Sequence, residues 1–229
     1  MLVANNVTSQ ITSEFAPMLK YRLVIFDSDG TLADTLPWMR SVFNEIGAAH
    51  GIRRIEEREH EHLRDLHGHA VLKALKLPLW KLPRVTHAFR ARMADESVNF
   101  ALFPGIGQTL RSLSTRGVLL AVVSSNSRAN VERVLGHDNA ELISRYECGV
   151  SLFGKAVKIR AVIRAMKVAP AKAIYVGDEI RDAEASRKAG VAFGAVAWGQ
   201  CSRNALLSQR PQEFFHTVEE LKLLACASD

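Results

Sequence analysis

The apolar positions of this chain follow two rhythms. In the first, compact runs of Leu, Val, Ile and Phe are followed at once by polar residues, as in Tyr21–Phe26 before Asp27, Gly117–Val123 before Ser124, and "KAIYV" before Gly177-Asp178. Short apolar runs rich in β-branched and aromatic residues and bounded by turn formers predict buried strands. In the second, apolar residues recur every three or four positions among Lys, Arg and Glu, the signature of amphipathic helices.

The order of these rhythms predicts the architecture. From Leu36 to about Phe103 the pattern is helical throughout, in "PWMRSVFNEIGAAHG", "IEEREHEHLRDLHG", "HAVLKALKL" and "LPRVTHAFRARMADESV". Gly51 and Gly68 read as helix stops, and Pro78 and Pro83 interrupt the pattern around "LPLWKLP". From Phe103 onward strand and helix alternate. The strands are "GVLLAVVSS", "YECGVSLFG" with its loop, "KAIYVGD" and "VAFGAVAWG". The helices are "RANVERVLG", "VKIRAVIRAMKV", "RDAEASRKAG" and a closing "TVEELKLLA". Such alternation predicts an α/β fold, a Rossmann-like parallel sheet covered by helices on both faces, here with an all-helical domain inserted after the first strand. The expected boundaries are a polar extension over 1–20, a core from 21–36 and 104–229, and the helical insert over 37–103.

Composition narrows the function. The net charge is +6, but the basic residues are scattered, with no run of five like charges and no aromatic–basic ladder. That argues against a nucleic-acid partner and fits the attraction of small anions. The longest apolar runs are too short to span a bilayer, so no membrane partner is expected. The first twenty residues lack a basic start followed by an apolar stretch, which points away from a secretory leader and toward the cytoplasm. Cys148, Cys201 and Cys226 are odd in number and widely spaced, as free thiols in a reducing compartment would be. Nothing in the sequence sets the oligomeric state or the role of residues 1–20.

Candidate chemistry sits at four predicted strand ends, where open parallel sheets gather their ligands. Asp27-Ser28-Asp29-Gly30-Thr31 ends the first strand; taken alone, such a segment is also what a tight turn uses. Ser124, with Ser125 and Asn126, precedes a helix; it suits an N-cap, and a helix N-terminus also suits an anion. Lys155 lies on a predicted loop, where a lysine is ordinarily solvated, and Lys158 competes for any role it has. Asp178 and Asp182 in "YVGDEIRD" share a face if a helical turn begins there, though acidic residues also favour any helix start.

Taken in order, D-x-D-G-T, a strand-ending Ser, a Lys and G-D-x-x-x-D resemble the four motifs of the haloacid dehalogenase superfamily. The resemblance extends to a helical insert where that superfamily carries its first type of cap, closed by "LFPGI", and is nearest to the phosphoglycolate-phosphatase-like branch. It implies a phosphatase in which Asp27 is the nucleophile that forms an aspartyl-phosphate. Asp29 is then the acid for the leaving oxygen and the base for water. Ser124 and Lys155 bind the phosphoryl oxygens. Mg²⁺ is held by the Asp27 carboxylate, the Asp29 main-chain carbonyl and Asp178, a hard-oxygen set suited to magnesium. Asp182 stands behind these residues or reaches the metal through water.

The implied partner is a small phosphorylated metabolite, phosphoglycolate-like or a sugar phosphate. Having Asp29 favours phosphate esters over carbon–halogen bonds, because an alkoxide leaving group needs a proton. Two features depart from the family pattern: Ser28 occupies a position where a bulky apolar residue is commoner, and the lysine motif lacks its following proline. The competing readings are a phosphomutase on the same scaffold and a catalytically silent binding module.

Five of the eight histidines lie between His50 and His69, which invites a second metal site. Residues two apart do not share a helix face, however, and the surrounding Glu and Arg read as a solvated exterior with Leu63, Leu66 and Ala70 packed inward. Arg64, His67 and His69 are candidates to face a substrate. Trp80 is read as a core or hinge anchor, and Asp34 with Thr35 as the hinge where the chain leaves the core.

Overall fold

The computed structural model describes residues 19–95, 100–151 and 154–226. The polar extension apart from Leu19 and Lys20, the "ESVN" end of the fourth helical segment, and Leu152-Phe153 of "YECGVSLFG" lie outside them. Six strands make one parallel sheet in the order β3-β2-β1-β4-β5-β6. They are β1 Leu23–Phe26, β2 Leu119–Val123, β3 Ile143–Glu147, β4 Ala173–Gly177, β5 Ala192–Val196 and β6 Glu213–Phe215.

β1 lies at the centre and is wholly buried. Its side chains alternate between two cores, as the two-residue period of a strand requires. Leu23 and Ile25 join Tyr175, Ile159 and Val162, beneath α8 (Lys155–Met166) and α9 (Ile180–Ala189). Val24 and Phe26 join Leu110 and Leu113 of α5 (Ile106–Thr115), together with Leu221 and Leu224. Each such side chain contributes about 1.5–3 kcal/mol through burial.

Between β1 and α5 the chain is helical: α1 (Leu36–Ala49), α2 (His60–Arg64), α3 (Gly68–Ala74) and α4 (Leu82–Asp95). These helices have their own small core of Ile52, Ile55, Leu63, Leu75, Leu77 and Val85. The outgoing and returning chains pair with each other. Ala33 bridges Leu102 in antiparallel fashion, Asp34 N–H donates to Ala101 O (2.9 Å), and Phe103 N–H to Leu32 O (2.9 Å). Beyond β2 come α6 (Arg128–Leu135) and α7 (His137–Ala140), and after β5 comes α10 (Arg203–Ser208).

Several sequence expectations need correction. β6 and α10 were not anticipated, because a three-residue strand containing Glu213 has no apolar run to announce it. The closing segment is a 3₁₀ helix over Glu219–Ala225 rather than an α-helix. β3 begins at Ile143 and ends at Glu147, earlier than "YECGVSLFG" suggests. Lys155 is the first residue of α8 rather than a loop residue. Trp80 is 67% exposed, with Lys81 Nζ 5.4 Å from its ring, so it anchors neither core nor hinge. It sits on a 3₁₀ turn after Pro78, while Leu77 and Val85 on either side fill the interior.

Candidate active site

Strand register brings the motifs together. Phe26 pairs with Val122 on one side and Val176 on the other. Asp27, Ser124 and Asp178 therefore emerge at the same edge of three adjacent strands. The loop after β1 turns back at once, with Leu32 and Ala33 N–H both donating to Ser28 O (2.9 Å each). Gly30 has φ +77°, and a Cβ there would overlap the Asp178 carboxylate, so both conformation and space require glycine. Gly199 approaches Asp178 from the other side just as closely.

Lys155 ties the aspartates together. Its ammonium donates to Asp27 Oδ2 (2.5 Å) and Asp182 Oδ1 (2.6 Å), is 1% exposed, and lies 5.7 Å from the Tyr175 ring centroid. Lys158 instead reaches Glu147 (2.8 Å) at the surface. Between the two lysines, position 155 is the one at the site. Asp27 Oδ1 accepts from Ser28 N–H (2.8 Å). Asp178 accepts from the Thr31 hydroxyl (2.8 Å) and from Gln200 N–H (2.7 Å). Asp182, in the first turn of α9, also accepts from Glu179 N–H (3.1 Å).

Ser124 is fully buried, and its hydroxyl accepts from Asn126 N–H (3.0 Å). The N-cap of α6 is Ser127 rather than Ser124. In the sequence Asn126 stands out only as a neighbour of Ser124, yet its amide donates to both oxygens of Asp29 (3.3 and 3.1 Å). Thr31, Asn126 and Gln200 were not foreseen as partners of the aspartates. A strand-end position flags Asn126, but no sequence signal marks a main-chain donor such as Gln200 N–H.

Burial dominates the electrostatics. It raises Asp27 above the usual carboxylate range, with Lys155 opposing. Asp29 is raised for the same reason, opposed by the Thr35 hydroxyl and the Asn126 amide. Asp178 is raised well above its ordinary value by burial and by Glu179, Asp182 and Asp27. Asp182 is pushed up to about 6 by burial, against the pull of Lys155. Burial pulls Lys155 down, but Asp182 and Asp27 together raise it well above a free lysine, so it stays protonated. Glu179 and Arg181 form a separate, half-buried pair (2.5 Å).

A divalent cation would relieve the remaining repulsion. Oxygens of Asp27, Asp178 and Asp182 lie within 4.8 Å of one another, a donor set of hard oxygens that fits magnesium. It is the one such group among the described residues, and no histidine belongs to it. The Asp29 side chain stands outside it.

A cavity of about 320 Å³ opens between the helical insert and the strand ends. Asp27, Asp29 and Asn126 form its polar floor, and Phe43, Leu72 and Phe89 are among its apolar walls. The insert is fastened at this mouth. Arg64 donates to Gln200 O (2.9 Å) and Gly199 O (3.3 Å), and the Ser202 hydroxyl donates to Asp65. Arg64 thus grips the core loop rather than facing the cavity. His67 and His69 are exposed, whereas His60 lines the cavity. Among the described residues, no helix is long and apolar enough to cross a membrane.

The model of the haloacid dehalogenase-like hydrolase family matches residues 24–196. The chain is 32% identical over 199 residues to a phosphoglycolate phosphatase of Synechococcus elongatus, covering 86% of this chain and 94% of that protein. Against a phosphoglycolate phosphatase of Agrobacterium fabrum it is 30% identical, covering 77% and 81%. The structure of CbbY from Rhodobacter sphaeroides in complex with phosphate superposes with a TM-score of 0.65 at 26% identity, covering 88% of this chain and 96% of that one.

Proposed function

Because this chain belongs to the haloacid dehalogenase-like hydrolases and is a phosphatase of the phosphoglycolate-phosphatase-like kind, we propose that it hydrolyses a small phosphorylated metabolite through an aspartyl-phosphate on Asp27. The observation that carries this reading is the buried lysine joining Asp27 to Asp182, with Asp178 beside them and Asp29 at the cavity. A lone turn or helix start has no need of that constellation.

In the first step an Asp27 oxygen attacks phosphorus, and the phosphorus–oxygen bond to the leaving group breaks. Asp29 gives its proton to the departing alkoxide; its raised pKa helps it hold that proton until then. In the second step Asp29 takes a proton from water, which attacks phosphorus, releasing inorganic phosphate and restoring Asp27. Ser124 and Lys155 bind the phosphoryl oxygens as charge builds. Asp27, Asp178 and the Asp29 carbonyl would hold Mg²⁺, which neutralises the carboxylates and phosphoryl oxygens when bound. Asp182 orients Lys155. Residues 37–103 act as a cap over the leaving group.

The names of the relatives favour phosphoglycolate or a sugar phosphate as the substrate class, and CbbY has also been crystallised with xylulose-(1,5)-bisphosphate. A cytoplasmic setting fits such substrates. The test is phosphate release from an aryl phosphate with Mg²⁺ and with chelator. Turnover that requires the metal is expected, and equal, negligible release in both conditions would sink the reading.

A further inference from the structure

The charges of the cavity do not balance on the cap side. Asp27 is matched by Lys155 and Glu179 by Arg181, while Asp29 accepts from the neutral Asn126 amide. Two arginines from different cap helices, Arg40 on α1 and Arg90 on α4, line the same cavity. Neither has a carboxylate partner among the described residues. Arg90 donates one Nη2 bond to Val150 O (3.1 Å), while its buried Nε has no acceptor among the described residues. Burial pulls its pKa down, and the one group that opposes this is the Cys148 thiol, itself pushed up to about 12 and therefore neutral. A guanidinium facing apolar walls without a counter-charge is costly unless an anion arrives.

Arg90 is also held firmly in place. Asn130 donates to its carbonyl (3.2 Å) and to Asn126 Oδ1 (2.9 Å), and Asn126 in turn holds Asp29. One turn further on, Arg133 reaches Met93 O (2.5 Å). A chain of hydrogen bonds therefore links the backbone of Arg90 to the expected proton donor.

We infer that Arg90, aided by Arg40, binds a second anionic group on the substrate, a carboxylate or a further phosphate carried by the leaving alcohol. This rests on the phosphatase reading and names the class of ester the site prefers. Arg90 is a specificity-determining residue here, distinct from the groups that hold the reacting phosphoryl.

The test compares kcat/KM for phosphoglycolate, ethane-1,2-diol bisphosphate and ethyl phosphate in the wild type, Arg90→Ala and Arg90→Lys. Ethyl phosphate carries an uncharged methyl group where phosphoglycolate has its carboxylate. The wild type should favour at least one of the two anionic esters over ethyl phosphate by about 10- to 100-fold, the range a charged hydrogen bond supplies. Whichever ester gains more identifies the anion. In Arg90→Ala that ratio should fall toward one, and Arg90→Lys should restore part of it. A wild-type ratio near one overturns the inference even if no variant folds. So does an equal loss on all three esters in a folded Arg90→Ala protein, which would put Arg90 on the reacting phosphoryl. Either result leaves the phosphatase reading standing as long as ethyl phosphate is turned over. Metal-dependent turnover of none of the three would count against that reading instead.

Discussion

The sheet core and the helical cap are packed to different standards. In the core, all four residues of β1 are fully buried, and Asp27, Ser124, Lys155 and Asp178 hang from strand ends or a helix start fixed by main-chain bonds. In the cap, the best-buried apolar residues keep 4 to 7% exposure, and all of that cluster but Ile52 border a cavity that reaches the aspartates. The difference teaches a division of labour. Phosphoryl chemistry needs groups held within fractions of an ångström, which a close-packed sheet provides. A leaving group of variable shape needs room, which a looser helical layer provides.

The strongest way to probe the rigid half is Asp27→Asn. It keeps size and neighbours but removes the nucleophile, so phosphate release should fall at least about 1000-fold with the far-ultraviolet spectrum unchanged. Activity within tenfold of wild type would remove Asp27 from its role. Next, Lys155→Ala leaves Asp27 and Asp182 buried and facing each other. Breaking a buried ion pair in this way costs about 3–5 kcal/mol, read as a lowered midpoint in urea, and Mg²⁺ should recover part of it.

Packing itself can be compared with matched truncations. Leu110→Ala, in the core beneath the sheet, should cost about 2–5 kcal/mol, and Leu75→Ala, already beside the cavity, should fall at or below the bottom of that range. Equal costs would erase the contrast. A subtler experiment tests the fastening between the halves. Arg64 grips the loop whose Gln200 N–H orients Asp178, so Arg64→Ala should weaken Mg²⁺ about tenfold, measured by titrating the metal against melting temperature.

The smallest effect is in pH. Carboxylates with raised folded pKa values bind protons more tightly folded than unfolded, so they penalise the metal-free fold above those values and are relieved as pH falls through them. Asp182, pushed up to about 6, makes that relief set in near pH 6 and grow as pH falls toward the ordinary carboxylate range. The melting-temperature gain from Mg²⁺ should therefore be larger at pH 7.5 than at pH 5.5. A gain independent of pH would separate the metal from these carboxylates.

The sequence revealed the parts that burial dictates. β1, β2 and β4 are central strands with both faces covered, so each reads as an apolar run ending in a polar residue, and the site residues stand at those ends. β6 is an edge strand of three residues and leaves no such trace. β3, at the opposite edge, exposes Ser144 and Arg145, which blurs its boundary. The aspartates and Lys155 were legible because their residue types recur in a known order. Asn126, Gln200 and the grip of Arg64 were not, because main-chain partners and contacts between distant segments depend on folded geometry.

The pairing of Phe26 with Val122 has a consequence for the order in which the protein is made. The central strand leaves the ribosome with its first neighbour still about 100 residues away, and with Val176 on the other side later still. Such distant pairing is intrinsically slow. The helices in between, whose contacts are local and whose two ends are clasped by Ala33 and Leu102, can settle first. A nascent chain would then carry a finished cap before it has an enzyme beneath it, and the catalytic edge would close only when β4 arrives.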